Sequence, residues 1–434
     1  MKKTCVVALG KIGLPLAVQI ASKGHAVVGV DIDERTVALV NRGQAPFPGE
    51  TDLDARLAAV VDQGRLRAST DTAGAVAQSD TVLLVVPLVV DQHATPEFTA
   101  LDAATRAVAG GLQAGTLVSY ETTLPVGTTR SRFTPMLAEL AGLKPGVDLF
   151  VCHSPERVYS GRVFSDLRRY PKLVGGIDAA SAERAIDFYR SVLDFEERPD
   201  LERRNGVWDL GSAEAAELAK LVETTYRDVN IALANEFAIH ADAIGVDVYE
   251  VIDAANSQPF SHVHRPGVAV GGHCIPVYPR FYLAGHGTAQ LPAAARAVNE
   301  GMPGYAVGRL RETLGTLQGA TVVVLGAAYR GGVKETAFSG VFPTVHHLRA
   351  NGATAMVHDP LYDDTELAAL GLSPYHLGTD CDAAIVQADH AAYLELDPSD
   401  LPGIRVLLDG RAVTDPGRWK GVTHMVIGAP SAGG

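Results

Sequence analysis

Residues 3–31 read KTCVVALGKIGLPLAVQIASKGHAVVGVD. An apolar run typical of a β-strand leads into Gly10 and Gly13, and an Ala/Leu/Val pattern typical of a helix then ends at Gly24. A second apolar run follows and ends at Asp31. This order predicts a βαβ unit with a short, glycine-containing first turn. Free N–H groups at the start of such a helix favour a bound anion.

Asp31 indicates which ligand the turn binds. An acidic side chain at the end of the second strand accepts hydrogen bonds from a ribose 2′-hydroxyl and repels a 2′-phosphate. The fingerprint G-x-G-x-x-G has Ala8 in place of its first glycine, while Gly10 and Gly13 match the other two. Such glycines also occur in ordinary strand-to-helix turns, but the position of Asp31 favours a dinucleotide. We therefore expect NAD rather than NADP.

Strand-like and helix-like runs alternate along the rest of the chain, as doubly wound parallel sheets require. In the first half, strands are expected over 81–86, 116–119, 148–152 and 172–174. After Gly319, strands are expected over 321–325 and 353–358, with a helix over 342–349. We expect an α/β protein with two Rossmann-like doubly wound domains joined by a central helical region. The expected domains are 1–205, which binds NAD, 206–310, which is the helical region, and 311–434, which is the second Rossmann-like domain.

A long helical pattern without internal glycine or proline runs from Ser212, which suits an N-cap, to Gly245, which suits a stop. Large apolar residues recur along it at spacings compatible with one helical stripe. They are Leu218, Val222, Val229, Leu233, Phe237 and Ile244. We expect this stripe to lie in the protein's own core. Packing against a second subunit is the alternative, and the length of the helix favours a homodimer.

Composition limits the classes of protein to consider. The chain has 434 residues, of which 47% are hydrophobic and 20% charged, enough for two or three globular domains. A formal net charge of −13 disfavours nucleic acid as a partner. Because no apolar run reaches the ~20 residues of a membrane-spanning helix, we expect no membrane role. Dispersed cysteines without a CxxC pair, and no signal-peptide pattern, favour a reducing, cytoplasmic location.

A second motif, GGHCIP at residues 271–276, places Cys274 in a turn that opens with two glycines. Glycines allow unusual backbone dihedrals and close approach of a ligand, and Pro276 fixes the exit of the turn. A redox cofactor and a nucleophilic thiol together suggest oxidation through a thioester. Taken alone, the motif fits a buried packing cysteine equally well.

Several motifs stand in one order along the chain. They are Gly10 to Ala17, Asp31, Asn41-Arg42-Gly43, ETTLPVG at 121–127, SPER at 154–157, the helix around Lys220 and GGHCIP at 271–276. With them the chain resembles the UDP-glucose/GDP-mannose dehydrogenase family from end to end. The resemblance implies an NAD-dependent, four-electron oxidation of a nucleotide sugar's C6 alcohol to a carboxylate, without a metal. It also implies that the third domain binds the UDP moiety.

The resemblance assigns roles to single residues. It implies that Cys274 adds to the aldehyde formed by the first oxidation, and that water hydrolyses the thioester left by the second. Lys220 stabilises oxyanions or takes protons, Glu156 handles the hydrolytic water, and Thr123 lies near the nicotinamide. Without the resemblance these three would be taken for a solvated lysine, a surface carboxylate and a turn residue. The residues expected to bind NAD are Gly10, Ile12, Gly13, Asp31, Arg35, Pro87 and Thr123.

The sequence around the expected sugar site looks more like the UDP-N-acetylhexosamine branch of the family than the UDP-glucose branch. The residues expected to bind the UDP-sugar are Glu156, Arg157, Val158, Lys220, Phe260, His264, Arg265, Gly267, Gly271 and Arg330. Among them, Arg265 is the cation expected to reach a diphosphate or a neighbouring site. His262 and His264 are expected to be loop residues rather than metal ligands.

Three positions depart from the family pattern. Tyr278 stands where the family usually has an aspartate, Thr224 where it has an asparagine, and Ala337 where it has an arginine that reaches the cofactor. We expect Thr224 and Tyr278 to belong to a rearranged base network that still completes the oxidation. Stalling at the aldehyde or thioester, and a binding protein without turnover, are the alternatives. UDP-glucose, or another primary alcohol of a specialised pathway, is the alternative substrate.

Overall fold

The computed structural model describes residues 2–91 and 94–432. The chain divides into two compact units. The first comprises Met1–Glu223 and Arg280–His286, and the second comprises Thr224–Pro279 and Gly287–Gly434. Over the described ranges, none of the helices is both long and apolar enough to cross a membrane.

The first unit is built on an eight-stranded sheet with the order β10-β9-β8-β7-β4-β1-β2-β3. Its strands are β1 Lys3–Val7, β2 Ala26–Val30, β3 Leu66–Ser69, β4 Thr81–Leu84, β7 Thr116–Tyr120, β8 Leu149–His153, β9 Lys172–Gly176 and β10 Val207–Asp209. Two short strands, β5 Val89–Val90 and β6 Pro96–Glu97, form a separate antiparallel pair. Neighbours in the large sheet run parallel except β8 and β9. The predicted strands are confirmed, with ends that differ by one or two residues.

Helices connect these strands as the alternation in sequence predicts. They are α1 Gly13–Ser22, α2 Glu34–Asn41, α3 Leu53–Asp62, α4 Thr72–Val76, α5 Thr99–Ala109, α6 Thr134–Ala141, α7 Val163–Arg169 and α8 Ala179–Val192, with a π-helical turn at Thr129–Phe133. The chain proceeds from β1 outward to β3 and then returns to β4 on the other side of β1. The strand order therefore reverses between β1 and β4.

The long helix is α9, Ala213–Ile244, and its 32 residues run through the boundary of the two units. The hydroxyl of Ser212 accepts the N–H of Ala215 at 3.2 Å, so the predicted N-cap is confirmed. Gly245 follows with a positive φ of 71°, as a helix stop requires.

The apolar stripe of α9 is not buried. Five of its six residues are 38 to 57% exposed, and they are Leu218, Val222, Leu233, Phe237 and Ile244. Val229 is half-buried. The expectation that the stripe lies in the protein's own core is therefore wrong. The buried face of α9 instead carries small residues such as Ala234, Ala238 and Ala241, which allow close packing.

The second unit contains a six-stranded sheet with the order β12-β11-β13-β14-β15-β16. The strands are β11 Thr321–Leu325, β12 Thr354–His358, β13 Ala383–Val386, β14 Val406–Asp409, β15 Thr423–Val426 and β16 Ala429–Ala432. Only the last pair is antiparallel. The remaining helices are α10 Val248–Asn256, α11 Tyr278–Gly285, α12 Leu291–Leu314, α13 Val341–Ala350 and α14 Asp364–Ala369, with 3₁₀ turns at Ala391–Glu395 and Pro416–Arg418.

Alternation along β11 shows how this second sheet is buried. Val322 and Val324 belong to one apolar cluster, whereas Val323 and Leu325 belong to another. Successive side chains of a strand point to opposite faces, so both faces of the sheet are covered. A two-sided sheet with helical connections is the Rossmann-like arrangement expected for this part of the chain. The observed fold is thus mixed α/β with a Rossmann-like sheet towards each end and helices between them.

Candidate active site

The residues expected to bind NAD follow neighbouring strands of the first sheet. Gly10 comes after β1, Asp31 after β2, Pro87 after β4 and Thr123 after β7. These four strands are adjacent and parallel. Their carboxyl ends therefore meet at one edge of the sheet, at the point where the strand order reverses. Open α/β sheets bind their ligands at this kind of edge.

The turn after β1 is shaped for a close approach of backbone to ligand. A Cβ on Gly13 would lie 1.9 Å from the carbonyl oxygen of Ala8, so no larger residue fits. Ala8 has a φ of 77°, a left-handed conformation that costs a residue with a Cβ about 1–2 kcal/mol. Ile12, at the N-cap of α1, forms no side-chain cap hydrogen bond. The first N–H groups of α1 are thus not capped by that side chain and suit a pyrophosphate.

The carboxylate of Asp31 is held in place by two backbone donors. One oxygen accepts the N–H of Leu9 at 2.8 Å and the other accepts the N–H of Asp33 at 3.0 Å. Each oxygen retains a lone pair for a ribose hydroxyl. The next residue, Ile32, is almost fully exposed, which the sequence pattern did not reveal. Arg35 lies exposed in the first turn of α2.

Thr123 is buried in the turn that follows β7. The end of this turn is fixed by Glu217, a buried side chain of α9. Its carboxylate accepts the N–H groups of Gly127 and Thr129 at 2.5 and 2.8 Å, and the hydroxyl of Thr129 at 2.7 Å. No sequence motif indicates Glu217, because a contact with Thr129, which is distant in sequence, leaves no local signal.

Glu156 follows β8 and lies in a network of charges. One oxygen of its carboxylate accepts the N–H of Arg157 at 2.7 Å, and the other accepts from the ammonium of Lys172 at 2.9 Å. The same ammonium donates to Glu121, at the end of β7. Glu121 belongs to the motif at 121–127, whereas no sequence motif indicates a role for Lys172.

Lys220 is buried on α9, and its ammonium lies 4.0 Å from the carboxylate of Glu223. Glu223 in turn accepts from Nε of Arg157 at 2.7 Å. Glu156, Arg157 and Lys220 therefore belong to one group of linked charges in the first unit. Val158 is half-buried and packs against the apolar core of the first unit.

In the second unit, the two glycines of the GGHCIP turn are required by their surroundings. A Cβ on Gly271 would lie 2.6 Å from the Cβ of Tyr329 and 2.9 Å from the carbonyl oxygen of Phe338. Gly272 has a φ of 95°. Neither position accepts a larger residue without rearrangement. The turn thus holds Cys274 on a backbone packed closely against its neighbours.

Cys274 differs from the other cysteines of the chain, all four of which are described. It is exposed, whereas Cys5, Cys152 and Cys381 are buried. Burial raises the pKa of Cys5 and of Cys152 to about 12, and it also raises the pKa of Cys381. These three remain protonated and inaccessible at neutral pH, so Cys274 is the thiol that a substrate can reach.

The three positions that depart from the family pattern have defined places. Tyr278 is the first residue of α11, and its N–H donates to the carbonyl of Cys274 at 2.9 Å. Thr224 is buried on α9, one helical turn after Lys220. The carbonyl of Ala337 accepts the N–H of Gly272 at 2.8 Å. Ala337 therefore supports the cysteine turn through its backbone.

The loop that precedes this turn is held by side chains of α9 and α10. Asn230 donates to the carbonyl of His262 at 2.6 Å and accepts the N–H of His264 at 3.0 Å. The guanidinium of Arg265 pairs with Asp253. Both histidines are thus positioned in the loop through their backbone.

Other residues expected to bind substrate lie in the second unit. Phe260 is almost fully exposed. The guanidinium of Arg330 lies beside the ring of Tyr329 and donates to its hydroxyl at 3.2 Å. Arg411, which the sequence analysis did not identify, follows β14 and donates to the carbonyls of Gln387 and Tyr329 at 2.7 and 3.0 Å. Arg265 and Arg411 line one open cavity of this unit, which suits an anionic ligand.

Comparison with known proteins decides the family. The sequence matches the NAD binding domain of the UDP-glucose/GDP-mannose dehydrogenase family over residues 2–193. It matches the central domain over residues 214–300 and the UDP binding domain over residues 323–416. The chain belongs to the UDP-glucose/GDP-mannose dehydrogenase family. The resemblance inferred from the motifs is thereby confirmed.

Individual relatives cover nearly the whole chain. A UDP-N-acetyl-D-mannosamine dehydrogenase of Pyrococcus horikoshii is 35% identical and aligns over 95% of this chain and 96% of its own. An NDP-N-acetyl-D-galactosaminuronic acid dehydrogenase of Ralstonia nicotianae is 32% identical over 94% and 95%. The solved structure of the UDP-D-ManNAc dehydrogenase from Pyrococcus horikoshii is 33% identical, covers 98% of this chain and 99% of its own, and has a TM-score of 0.87.

As a member of this UDP-glucose/GDP-mannose dehydrogenase family, the protein is an NAD-dependent nucleotide-sugar dehydrogenase. The glycine turn, the oriented Asp31 carboxylate and the uncapped start of α1 fit NAD. The expectation of an NAD cofactor is confirmed by the family, and these features explain it in physical terms.

Proposed function

We propose that the protein oxidises the C6 alcohol of a UDP-N-acetylhexosamine to the carboxylate through a thioester on Cys274. The exposure of Cys274 in a glycine turn, in contrast to the three buried cysteines, is the observation that carries the covalent step. The names of the relatives support an N-acetylated sugar, since they include a UDP-N-acetyl-D-mannosamine dehydrogenase and an NDP-N-acetyl-D-galactosaminuronic acid dehydrogenase.

Two oxidations are required, and each would transfer one hydride to a separate molecule of NAD+, so that two NADH leave for every sugar oxidised. In the first, the C6 alcohol also loses its hydroxyl proton and becomes an aldehyde. The thiolate of Cys274 then adds to the aldehyde carbon, and the resulting oxyanion takes up a proton. Loss of a hydride and a proton from this thiohemiacetal leaves a thioester. Water adds to the thioester carbon, the C–S bond breaks, and the carboxylate and the thiol are released.

Charged and polar side chains assist these steps in the proposal. Lys220 stabilises the oxyanions that form at C6, because a buried ammonium interacts strongly with a nearby negative charge. Glu156 takes a proton from the hydrolytic water, and its partial exposure leaves it accessible for this task. Thr123 contacts the nicotinamide side of the cofactor. Thr224 and Tyr278 replace the family's asparagine and aspartate through their hydroxyl groups.

The residues proposed to hold the ligands are those expected from the sequence motifs and the family resemblance. NAD is bound by Gly10, Ile12, Gly13, Asp31, Arg35, Pro87 and Thr123. The UDP-sugar is bound by Glu156, Arg157, Val158, Lys220, Phe260, His264, Arg265, Gly267, Gly271 and Arg330. We propose 1–205 as the NAD-binding domain, 206–310 as the central helical region and 311–434 as the UDP-binding domain. We also propose that the protein acts in the cytoplasm.

The exposed stripe of α9 supports a homodimer. Large apolar side chains with this degree of exposure are stabilised when a partner covers them. One helix that presents its own stripe to the same helix of a second copy satisfies two-fold symmetry. We therefore propose a homodimer in which the stripe residues are buried between the two copies.

The decisive experiment counts NADH formed per sugar consumed, with UDP-N-acetylmannosamine, UDP-N-acetylglucosamine, UDP-glucose and GDP-mannose supplied separately. Two NADH per N-acetylated sugar, with a uronate as product, is the expected result. Two NADH from UDP-glucose alone would replace the proposed substrate. A single burst equal to the enzyme would show that Tyr278 and Thr224 do not support thioester release, and no NADH from any sugar would refute the proposed activity.

A further inference from the structure

Lys172 is a buried lysine that lies beside Glu156, the residue expected to handle the hydrolytic water. Its side chain is 4% exposed, that of Glu121 is 0% exposed and that of Glu156 is 10% exposed. A buried ammonium is stable only when its hydrogen bonds are satisfied by suitable acceptors. Lys172 donates to Glu121 and to Glu156, and the carbonyl oxygen of Ser154 lies 3.4 Å away. Its three donors thus have three acceptors.

The far side of this network is closed by an aromatic residue. Tyr189, on α8, donates its hydroxyl proton to Glu121. The hydroxyl of Ser119 lies 2.7 Å from that of Tyr189 and completes the chain. The ring of Tyr189 also faces the Lys172 ammonium, at 4.9 Å from its centroid. Glu121 and Tyr189 therefore fix Lys172 from behind, and Glu156 is the member of the network that retains contact with solvent.

The segment that carries Glu156 is attached to the strand that carries Lys172. The hydroxyl of Ser154 donates to the carbonyl of Leu173 at 2.7 Å. The carboxylate of Glu156 uses one oxygen for Lys172 and the other for the N–H of Arg157. Both oxygens of Glu156 are thus held by donors, which restricts the carboxylate to one orientation.

We infer that Lys172 is a positioning residue for Glu156, and that its buried ammonium, anchored by Glu121 and Tyr189, holds the Glu156 carboxylate in the orientation needed for the hydrolytic water. This inference rests on the proposed function, in which Glu156 activates that water. The network carries two carboxylates and one ammonium, so its net charge is negative when all three are ionised. Loss of the Lys172 ammonium and loss of the Glu121 carboxylate therefore change the charge beside Glu156 in opposite directions.

Other titratable groups in the first unit face the same network. Burial raises the pKa of Glu121, and the Lys172 ammonium opposes that rise. Burial lowers the pKa of His153, on β8, to about 3, so its ring stays neutral at physiological pH. Burial raises the pKa of the Tyr189 phenol, which remains a donor. Arg157 is neutralised by its pair with Glu223.

The test compares two substitutions with opposite expected effects. Lys172→Met removes the cation and leaves two carboxylates close together. The acid limb of the kcat–pH profile should therefore move to higher pH by about one pH unit. Glu121→Gln removes one of the two carboxylates that share the Lys172 ammonium. The acid limb should therefore move to lower pH. Lys172→Arg should restore the wild-type limb, at least in part, because it retains a charged donor. A merely structural ion pair would not shift the limb in opposite directions.

The intermediate and a matched control provide further readouts. At neutral pH, Lys172→Met should accumulate a covalent enzyme–sugar adduct, detected by intact mass, and kcat should fall about tenfold with little change in KM. Arg132→Met serves as the control, because Arg132 forms an ion pair with Asp102 in the same unit. It should leave the pH profile unchanged. A wild-type acid limb in both Lys172→Met and Glu121→Gln would overturn the inference.

A measurement without substrate separates this inference from the proposed function. Lys172→Met, Glu156→Gln and the double variant form a thermodynamic cycle in urea unfolding. The two substitutions should be coupled by about tenfold in the unfolding equilibrium constant. Additive effects would overturn the inference even if the wild-type protein makes a uronate. Coupling without any oxidation of nucleotide sugars would retain the ion pair but refute the proposed function and with it the positioning role.

Discussion

The side-chain oxygen of Asn235 accepts the backbone N–H of Gly267 at 2.9 Å. Asn235 lies on α9, is fully buried and also donates to the side chain of Asn299 at 2.9 Å. Asn299 in turn donates to the carboxylate of Asp228 at 2.8 Å, and Arg296 pairs with the same carboxylate at 2.8 Å. A buried polar network therefore fixes the backbone of the loop expected to bind substrate.

Replacement of Asn235 by alanine should loosen this loop. We expect a loss of about 1–3 kcal/mol in the free energy of unfolding, because the N–H of Gly267 and the amide of Asn299 lose their partner. KM for the UDP-sugar should rise, while KM for NAD should not. Asn41→Ala is the control, since Asn41 forms two similar bonds with the backbone of Ala68 in the first unit. An equal rise in KM for the UDP-sugar in both variants would contradict the prediction.

Replacement of Cys274 by serine should abolish formation of the uronate, because an alkoxide does not form at neutral pH and no thioester can follow. The expected loss in kcat is at least about a thousandfold. Cys381→Ser, at a buried cysteine of the same unit, should retain the activity of the folded protein. The measurement is NADH and uronate per mole of folded enzyme. Continued uronate production by Cys274→Ser would refute the covalent mechanism.

Replacement of Asp31 by alanine should weaken the preference for NAD. The carboxylate no longer accepts from the ribose hydroxyls and no longer repels a 2′-phosphate. KM for NAD should rise about tenfold or more, and the ratio of kcat/KM for NAD to that for NADP should fall. Asp178→Ala removes a helix-capping carboxylate from α8 and should alter stability without altering this ratio. An unchanged ratio in Asp31→Ala would contradict the assigned role.

Glu217 should make stability depend on pH in a defined direction. Burial raises its pKa from the ordinary 4.5 to about 7, although the N–H and hydroxyl donors of the Thr129 turn oppose the rise. Its stabilising contribution is therefore complete below pH 4.5 and is lost as the pH rises through 7. Relative to Glu217→Gln, the wild-type free energy of unfolding should fall by about 1–3 kcal/mol across this window.

The neighbouring Glu214 offers a control of opposite sign. Its hydrogen bond with Arg130 lowers its pKa, so its contribution is present above pH 4.5 and is lost as the pH falls. Urea unfolding of both glutamine variants between about pH 3 and pH 8 measures the two slopes. A wild-type stability that rises with pH relative to Glu217→Gln would show that the donors, rather than burial, dominate at Glu217.

A charge in the exposed stripe of α9 should prevent association. Phe237→Glu is expected to yield a monomer at micromolar concentration, because a buried unpaired carboxylate is costly at an apolar interface. Leu140→Glu, at an exposed apolar residue of α6, should leave the oligomeric state unchanged. Light scattering coupled to size-exclusion chromatography measures the mass. A monomeric wild-type protein would refute the proposed homodimer.

The sequence identified half of the sixteen strands that the structure describes, the long helix and the family because these depend on local patterns. The apolar run before Gly10, the N-cap Ser212 and the glycines of the cysteine turn each give a signal over a few residues. Their ends were predicted within one or two residues.

Contacts between distant parts of the sequence gave no such signal. Lys172 and Glu121 meet because β8 and β7 are adjacent and β9 follows β8 in the sheet. Glu217 reaches the turn after β7 from a helix far along the chain. The stripe of α9 was misassigned because periodicity shows that a face is apolar but not what covers it. The buried face of α9 is instead the one that carries the alanines.

The distribution of the four cysteines has a consequence for chemical damage. Oxidants and alkylating agents from solvent meet Cys274 first, while Cys5, Cys152 and Cys381 are shielded within the packed interior. A single equivalent of electrophile therefore modifies one position and leaves the fold intact. The same arrangement gives a site-selective attachment point for a fluorophore or spin label in the native protein, without removal of the other thiols.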